Sequence, residues 1–254
     1  MLFWREIMSA KIFLVGIGPG QAEHITHCAQ AAIERASIVI GHPDNLAQIA
    51  HMARGKEIIT INQNPLERSR AAVEKALNGQ DVVIVSSGDP GIYAIAATFL
   101  DYLRQQNLMI ETEIVPGLGL AVYASARLGA ALGSDSASIS LCDQNTPWTT
   151  ICRRLSAAIS ADFVMVIYNP FGKLGATRLE EAIALIQQER HLNTPVGVLS
   201  QASTPDEKLL LTTLGELPKL TLPTDTLIII GNSQSYVYGN YMITPRLYKE
   251  NIGY

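Results

Sequence analysis

Lys11-Ile12-Phe13-Leu14-Val15-Gly16-Ile17-Gly18-Pro19-Gly20 decides the fold. A short, unbroken apolar run that stops at turn residues reads as a strand buried on both faces, the kind a parallel sheet requires. The glycines behind it let the backbone turn sharply and approach a ligand. A dinucleotide fingerprint would need a glycine where Gln21 stands, and no acidic residue closes the second strand at Ile40-Gly41-His42. The turn alone therefore fits both a ligand site and a plain strand-to-helix connection.

Working outward, Lys11–Ile17 is expected as the first strand and Ile25–Ala36 as a helix with Ala and Ile on one face. Further strands are expected at Ser37–Ile40, Ile58–Ile61, Asp81–Val85 and Ile110–Val115, with helices at Leu66–Leu77 and Ile92–Gln105 between them. This alternation is the pattern of parallel α/β units. Pro116–Gly119 interrupts both periods and reads as a junction. Beyond it, Ser138–Leu141, Phe163–Tyr168, Pro195–Leu199, Leu209–Thr212 and Thr226–Ile230 are strand candidates. Thr177–Gln188 reads as a helix capped by Thr177. The Thr204–Lys208 turn joins two neighbouring strands, which predicts antiparallel pairing in this half. The expected fold is therefore two α/β domains, residues 10–117 with a mainly parallel sheet and residues 118–254 with a mixed one.

With 254 residues, 48% hydrophobic and 17% charged, the chain can bury a sizeable core. No apolar run approaches the ~20 residues of a membrane span. Met1–Ala10 carries Arg5 and Glu6 and lacks a secretory layout, and Met8 is a second candidate start. A cytoplasmic protein is expected. Cys28, Cys142 and Cys152 form no CxxC pair and are read as reduced, packed thiols. A net charge of −4 and 6% aromatic residues argue against a nucleic-acid surface. His24 and His27 have helical spacing beside Cys28, but no third ligand is indicated, so no metal site is expected.

Ser86-Ser87-Gly88-Asp89-Pro90-Gly91-Ile92-Tyr93 stands at the C-terminal end of an expected strand, where ligands bind in parallel sheets. Asp89 offers a carboxylate for a hydroxyl or ammonium, or a cap for the following helix. Together, Gly-x-Gly-Pro-Gly, Ser-Gly-Asp-Pro and Ile114-Val115-Pro116-Gly117 resemble the tetrapyrrole methylase family over nearly the whole chain, from Lys11 to Tyr248. Ile139–Asp143 with Thr146-Pro147-Trp148, Tyr168-Asn169-Pro170, Thr212–Gly215, Gly231-Asn232 and Met242–Arg246 look like its C17-methylating branch.

The resemblance implies a homodimeric methyltransferase that uses S-adenosylmethionine, held in the cleft between two domains. Its expected reaction is C17 methylation and ring contraction of precorrin-3B or cobalt-factor III in cobalamin biosynthesis. Any cobalt belongs to the substrate. By motif position, Pro19, Ser87, Gly88, Asp89, Ile92, Gly119, Leu120, Asn169 and Ala202 would line the donor site. Gly119-Leu120 replaces the family's Thr-Ala, which leaves only backbone contacts there. Asn169 replaces a Met of uroporphyrinogen methylases, Ala202 a Gly, and Gln21 the Asp common in the first motif. Methyl transfer from a sulfonium needs alignment and desolvation, whereas contraction moves protons and calls for an acid or base. Asp143 is the first candidate, followed by Tyr93 and His42. Against each stands a plainer role: turn carboxylate, core tyrosine, loop histidine. Arg127, Arg153, Arg154 and Arg178 are candidates to pair with substrate carboxylates. Methylation of another corrin carbon, or a non-catalytic tetrapyrrole carrier, are the competing functions.

Overall fold

The computed structural model describes residues 5–6, 10–62, 64–144, 146–171 and 176–246. Met8 lies outside them. Two compact units divide the chain, Met1–Leu120 and Ala121–Tyr254.

The first unit runs β1 (Arg5–Glu6), β2 (Ile12–Gly16), α1 (His27–Arg35), β3 (Ile38–Gly41), α2 (Pro43–Gln48), β4 (Glu57–Thr60), α3 (Pro65–Leu77), β5 (Val82–Ser86), α4 (Ile95–Gln105), β6 (Leu108–Met109) and β7 (Thr112–Val115). Its five-stranded sheet has the order β4-β3-β5-β2-β7, and every pair is parallel. The central strands are apolar throughout because both faces are covered. Phe13, Val15 and Ile17 pack with Ala29, Ala32 and Ile33 on one face. Ile12 and Leu14 pack on the other with Ala72, Val73, Ala76 and Phe99. This is the two-residue alternation of a strand.

Several sequence expectations shift. The expected Ile110–Val115 strand is shortened to β7, which joins the main sheet, and the separate β6 ahead of it pairs with β1. Helix α4 begins at Ile95, so Ile92 and Tyr93 belong to the loop. Helix α1 begins at His27 because Thr26 caps it, its hydroxyl accepting from Ala29 N–H at 3.1 Å. His24 closes a separate 3-10 turn, so the two histidines share no helix face. Helix α2 was not anticipated. Its signals are local ones, Pro43 at the first turn and His42 as N-cap.

The second unit runs α5 (Leu120–Leu128, beginning at the boundary residue), β8 (Gly129–Ala130), β9 (Ser136–Ser140), α6 (Trp148–Ser160), β10 (Val164–Tyr168), α7 (Ala176–Gln187), β11 (Pro195–Ser200), β12 (Lys208–Thr213), β13 (Thr226–Ile230), β14 (Tyr236–Tyr238) and β15 (Tyr241–Ile243). Its main sheet has the order β12-β11-β13-β10-β9 and is mixed: β9 and β10 are parallel, while β13 runs antiparallel to both β10 and β11. The β11–β12 pair is antiparallel, as the Thr204–Lys208 turn predicts. Ile151, Leu155, Ile183 and Ile186 from α6 and α7 build its core with Met165, Val198 and Ile228. Thr177 lies inside α7, which starts at Ala176, and so does not cap it. Cys142 and Cys152 are half-buried free thiols, whereas Cys28 is exposed rather than packed.

Candidate functional site

Strand order brings the motifs of the first unit together. β5, β2 and β7 are neighbours, so the loops leaving their C-terminal ends are neighbours too. Ile17 N–H donates to Ser86 O at 2.9 Å, and Gly18 and Gly88 exchange backbone hydrogen bonds of 2.8 and 3.2 Å. Both glycines have left-handed backbones, φ 76° and 61°. A Cβ on Gly16 would sit 2.6 Å from Gly117 N and 2.6 Å from Gly88 O. A Cβ on Gly117 would overlap Gly88 O itself. Backbone lies on backbone here, and only glycine permits it.

Asp89 ties the same loops with its side chain. Oδ1 accepts from Gly91 N–H at 2.8 Å and Oδ2 from Gly117 N–H at 3.2 Å. Helix α4 has no side-chain cap, so the helix-cap reading of Asp89 is replaced by a staple between the β5 and β7 loops. Each carboxylate oxygen keeps capacity for a second donor. One direction stays open: a Cβ on Gly88 would meet nothing nearer than Leu120 N at 3.9 Å. Around that opening stand Gly119, whose Cβ would touch Ile92 Cδ1 at 3.7 Å, and the exposed Ser87 and Ile92. Tyr93 has φ 51°, a strained value for a bulky residue and one that clusters at ligand sites. Pro19 is half-buried in the first loop. Ser87, Gly88, Asp89, Ile92, Gly119 and Leu120 are thus brought together, with Pro19 and Tyr93 on the same loops.

His42 is placed differently. It ends β3 and caps α2, its Nδ1 accepting from Asp44 N–H at 3.3 Å. That is a structural task, and Nε2 is the nitrogen left for any other.

In the second unit, Asn169 has φ 48° just past β10, and its Nδ2 donates to Ser140 Oγ at 3.0 Å. The same Oγ accepts from Cys142 N–H at 3.2 Å. Asp143 follows, only 10% exposed, in a 2.8 Å ion pair with Arg178 Nε. Arg178 also reaches Glu181 at 2.9 Å and stacks 4.5 Å over the Trp148 ring. The hydrogen bond to Asp143 leads a set of contacts that raises the guanidinium pKa against burial. Arg127 is equally engaged, its Nε donating to Glu207 at 2.8 Å. Arg127 and Arg178 thus have carboxylate partners of their own within the chain, while Arg153 and Arg154 stand exposed on α6. Ala202 sits between two left-handed residues, Gln201 and Ser203.

Glu207 and Tyr123 were not anticipated. Glu207 accepts from the Tyr123 hydroxyl, from Arg127 and from Ser203 N–H at 2.7 Å. Burial raises its pKa, but those three donors outweigh burial and hold the carboxyl below its ordinary range. Tyr123 and Arg127 stand four apart on α5, which is the one sequence signal that they share a face. Among the described residues, no three His, Cys, Asp or Glu side chains stand within reach of one metal ion, and no helix is long and apolar enough to cross a membrane.

Residues 11–218 match the family model of tetrapyrrole (corrin/porphyrin) methylases. The chain is 37% identical over 236 residues to a probable cobalt-factor III C(17)-methyltransferase of Salmonella typhimurium, covering 92% of this chain and 98% of that protein. It is 31% identical to the precorrin-3B C(17)-methyltransferase of Sinorhizobium sp, covering 95% and 98%. It spans about half, 46%, of the cobalt-factor III methyltransferase of Priestia megaterium, at 33% identity over 95% of this chain. The crystal structure of the methyltransferase CobJ superposes with a TM-score of 0.88 at 28% identity, covering 93% of this chain and 100% of that one. The chain belongs to the tetrapyrrole methylase family and is a methyltransferase. Within that family, these two relatives, each matched over 98% of its length, carry names of C17 enzymes.

Proposed function

We propose that the protein methylates C17 of precorrin-3B or cobalt-factor III with S-adenosylmethionine and takes part in contraction of the ring. The observation that carries the reading is the open space over Gly88, framed by backbone that no side chain can enter. The residues fit a nucleoside sulfonium. Gly88 leaves room, Ser87 and Asp89 offer an exposed hydroxyl and spare carboxylate capacity, and Gly119 and Leu120 offer peptide groups. When bound, S-adenosylmethionine supplies an electrophilic methyl group. The chain's own part is to hold reactants in line and keep water away, for which Ile92 provides apolar surface. Asn169 and Ala202 are proposed as further donor contacts, and the working form as a homodimer.

For the proton movement, Asp143 is the proposed base. Its 2.8 Å pairing with Arg178 fixes the direction of the carboxylate, which is only 10% exposed to water. Tyr93 and His42 follow it. The test is incubation of the purified protein with S-adenosylmethionine and either substrate. Mass spectrometry reads the methyl group, carbon NMR its position, and absorption the ring. A single methyl at C17 supports the proposal; a methyl elsewhere, or none, overturns it. Asp143→Asn should keep methyl transfer but lower contracted product by ~10²–10⁴ in rate. Normal contraction would return Asp143 to a structural role beside Arg178.

A further inference from the structure

The loop after β11 holds two left-handed residues that are not glycine, Gln201 at φ 51° and Ser203 at φ 56°. Such conformations persist only where the surroundings over-determine them. The turn closes itself locally: Thr204 Oγ1 donates to Gln201 O at 2.8 Å, Asp206 N–H to Thr204 Oγ1 at 3.2 Å, and Glu207 N–H to Thr204 O at 3.1 Å. Glu207 goes further than closure needs. Its carboxylate, 11% exposed, takes Ser203 N–H and the Tyr123 hydroxyl on Oε2 and Arg127 on Oε1, Tyr123 and Arg127 both from α5. Tyr123 is itself buried. The first turn of α5 is tied as well, Ala121 N–H donating to the Tyr168 hydroxyl at 3.2 Å. Tyr168 precedes Asn169, the third left-handed residue of this edge. One helix therefore anchors the loops after β10 and β11.

We propose that Glu207 is a positioning residue for the methyl donor, clamping the Gln201–Ser203 loop to α5 so that Ala202 presents a fixed backbone. The inference rests on the reading that Ala202 belongs to the donor site. A carboxylate suits the task because it can accept three hydrogen bonds at once, which an amide oxygen cannot match in strength.

S-adenosylhomocysteine, the donor's demethylated form, is the probe. Calorimetric titration of the full chain is compared for wild type, Glu207→Gln and Tyr123→Phe, with thermal unfolding alongside. Glu207→Gln should weaken binding at least about tenfold, the value of a charged hydrogen bond, and Tyr123→Phe about threefold to tenfold. In turnover, the donor KM should rise while the tetrapyrrole KM and kcat hold. Variants that melt lower yet bind as wild type would make Glu207 a purely structural clamp and overturn the proposal. Should Glu207→Gln fail to fold, Tyr123→Phe decides, since it keeps the buried ring and removes one hydroxyl. Failure of wild type to bind the probe would instead defeat the donor reading, and the clamp's role with it.

Discussion

Both units hold loops at the C-terminal ends of their strands, and they do so with opposite materials. In the first, Gly16, Gly18, Gly88 and Gly117 let backbone rest on backbone, and Asp89 adds one side chain. In the second, the left-handed residues of these loops are Asn169, Gln201 and Ser203, and a side chain holds each of them: Ser140 for Asn169, Thr204 for Gln201, Glu207 for Ser203. At Gly16 and Gly117 the glycine cradle has no room for an added atom. A side-chain clamp has room, but depends on each partner being present. The first should break when something is added and the second when something is removed.

The largest expected effect follows from adding one methyl group at Gly117. Gly117→Ala puts a carbon into the Gly88 carbonyl, and both obstacles are main chain, which cannot rotate away. Overpacking against such neighbours costs about 3 kcal/mol, or ~6–12 °C in a chain of this size. A drop of under a degree in thermal unfolding would show that the loops are not packed as described. Gly88→Leu should be milder on stability and harsher on binding. The left-handed backbone costs about 1–2 kcal/mol with a side chain, while the side chain itself enters the open space. Calorimetry on the folded variant should find no binding of S-adenosylmethionine, and an unchanged affinity would take this loop out of the site.

The smallest effect tests the clamp by pH. Glu207 is held below its ordinary pKa, so it stabilises the fold above that value and the contribution fades as pH falls through the lowered one. Between about pH 5 and pH 3, wild type should lose ~2–4 °C more than Glu207→Gln, about what 1 kcal/mol is worth. Parallel melting curves for the two proteins would assign the acid sensitivity to other carboxylates.

The same contrast governs what could be read from the sequence. The parallel sheet was legible because Ile12–Val15 and Val82–Val85 are apolar throughout, and the cradle because its glycines stand in local motifs after those strands. The mixed sheet was legible from the Thr204–Lys208 turn. The engagement of Asp89, Asp143 and Glu207 was not. Their partners Gly117, Arg178 and Tyr123 lie 28, 35 and 84 positions away, and no periodicity links them. The carboxylate partners of Arg127 and Arg178 were hidden in the same way, because a sequence shows charge without its neighbour. Helix α5 was hidden by the junction before it, since Pro116 to Gly119 ends one pattern just where the next begins.

Gly16 and Gly117 nearly touch, yet they are separated by about a hundred positions of chain. At a synthesis rate of ~5–20 residues per second, some 5–20 s pass between the making of the first wall and of the last. β2 is made first of the three and must wait for β5 on one side and β7 on the other. The cradle is therefore closed by the last strand of its unit, after the apolar faces beneath it have begun to pack. A ligand that needs all three loops cannot guide the early steps of folding; it stabilises only the finished unit, by mass action. Ligand occupancy becomes a mark of completed assembly.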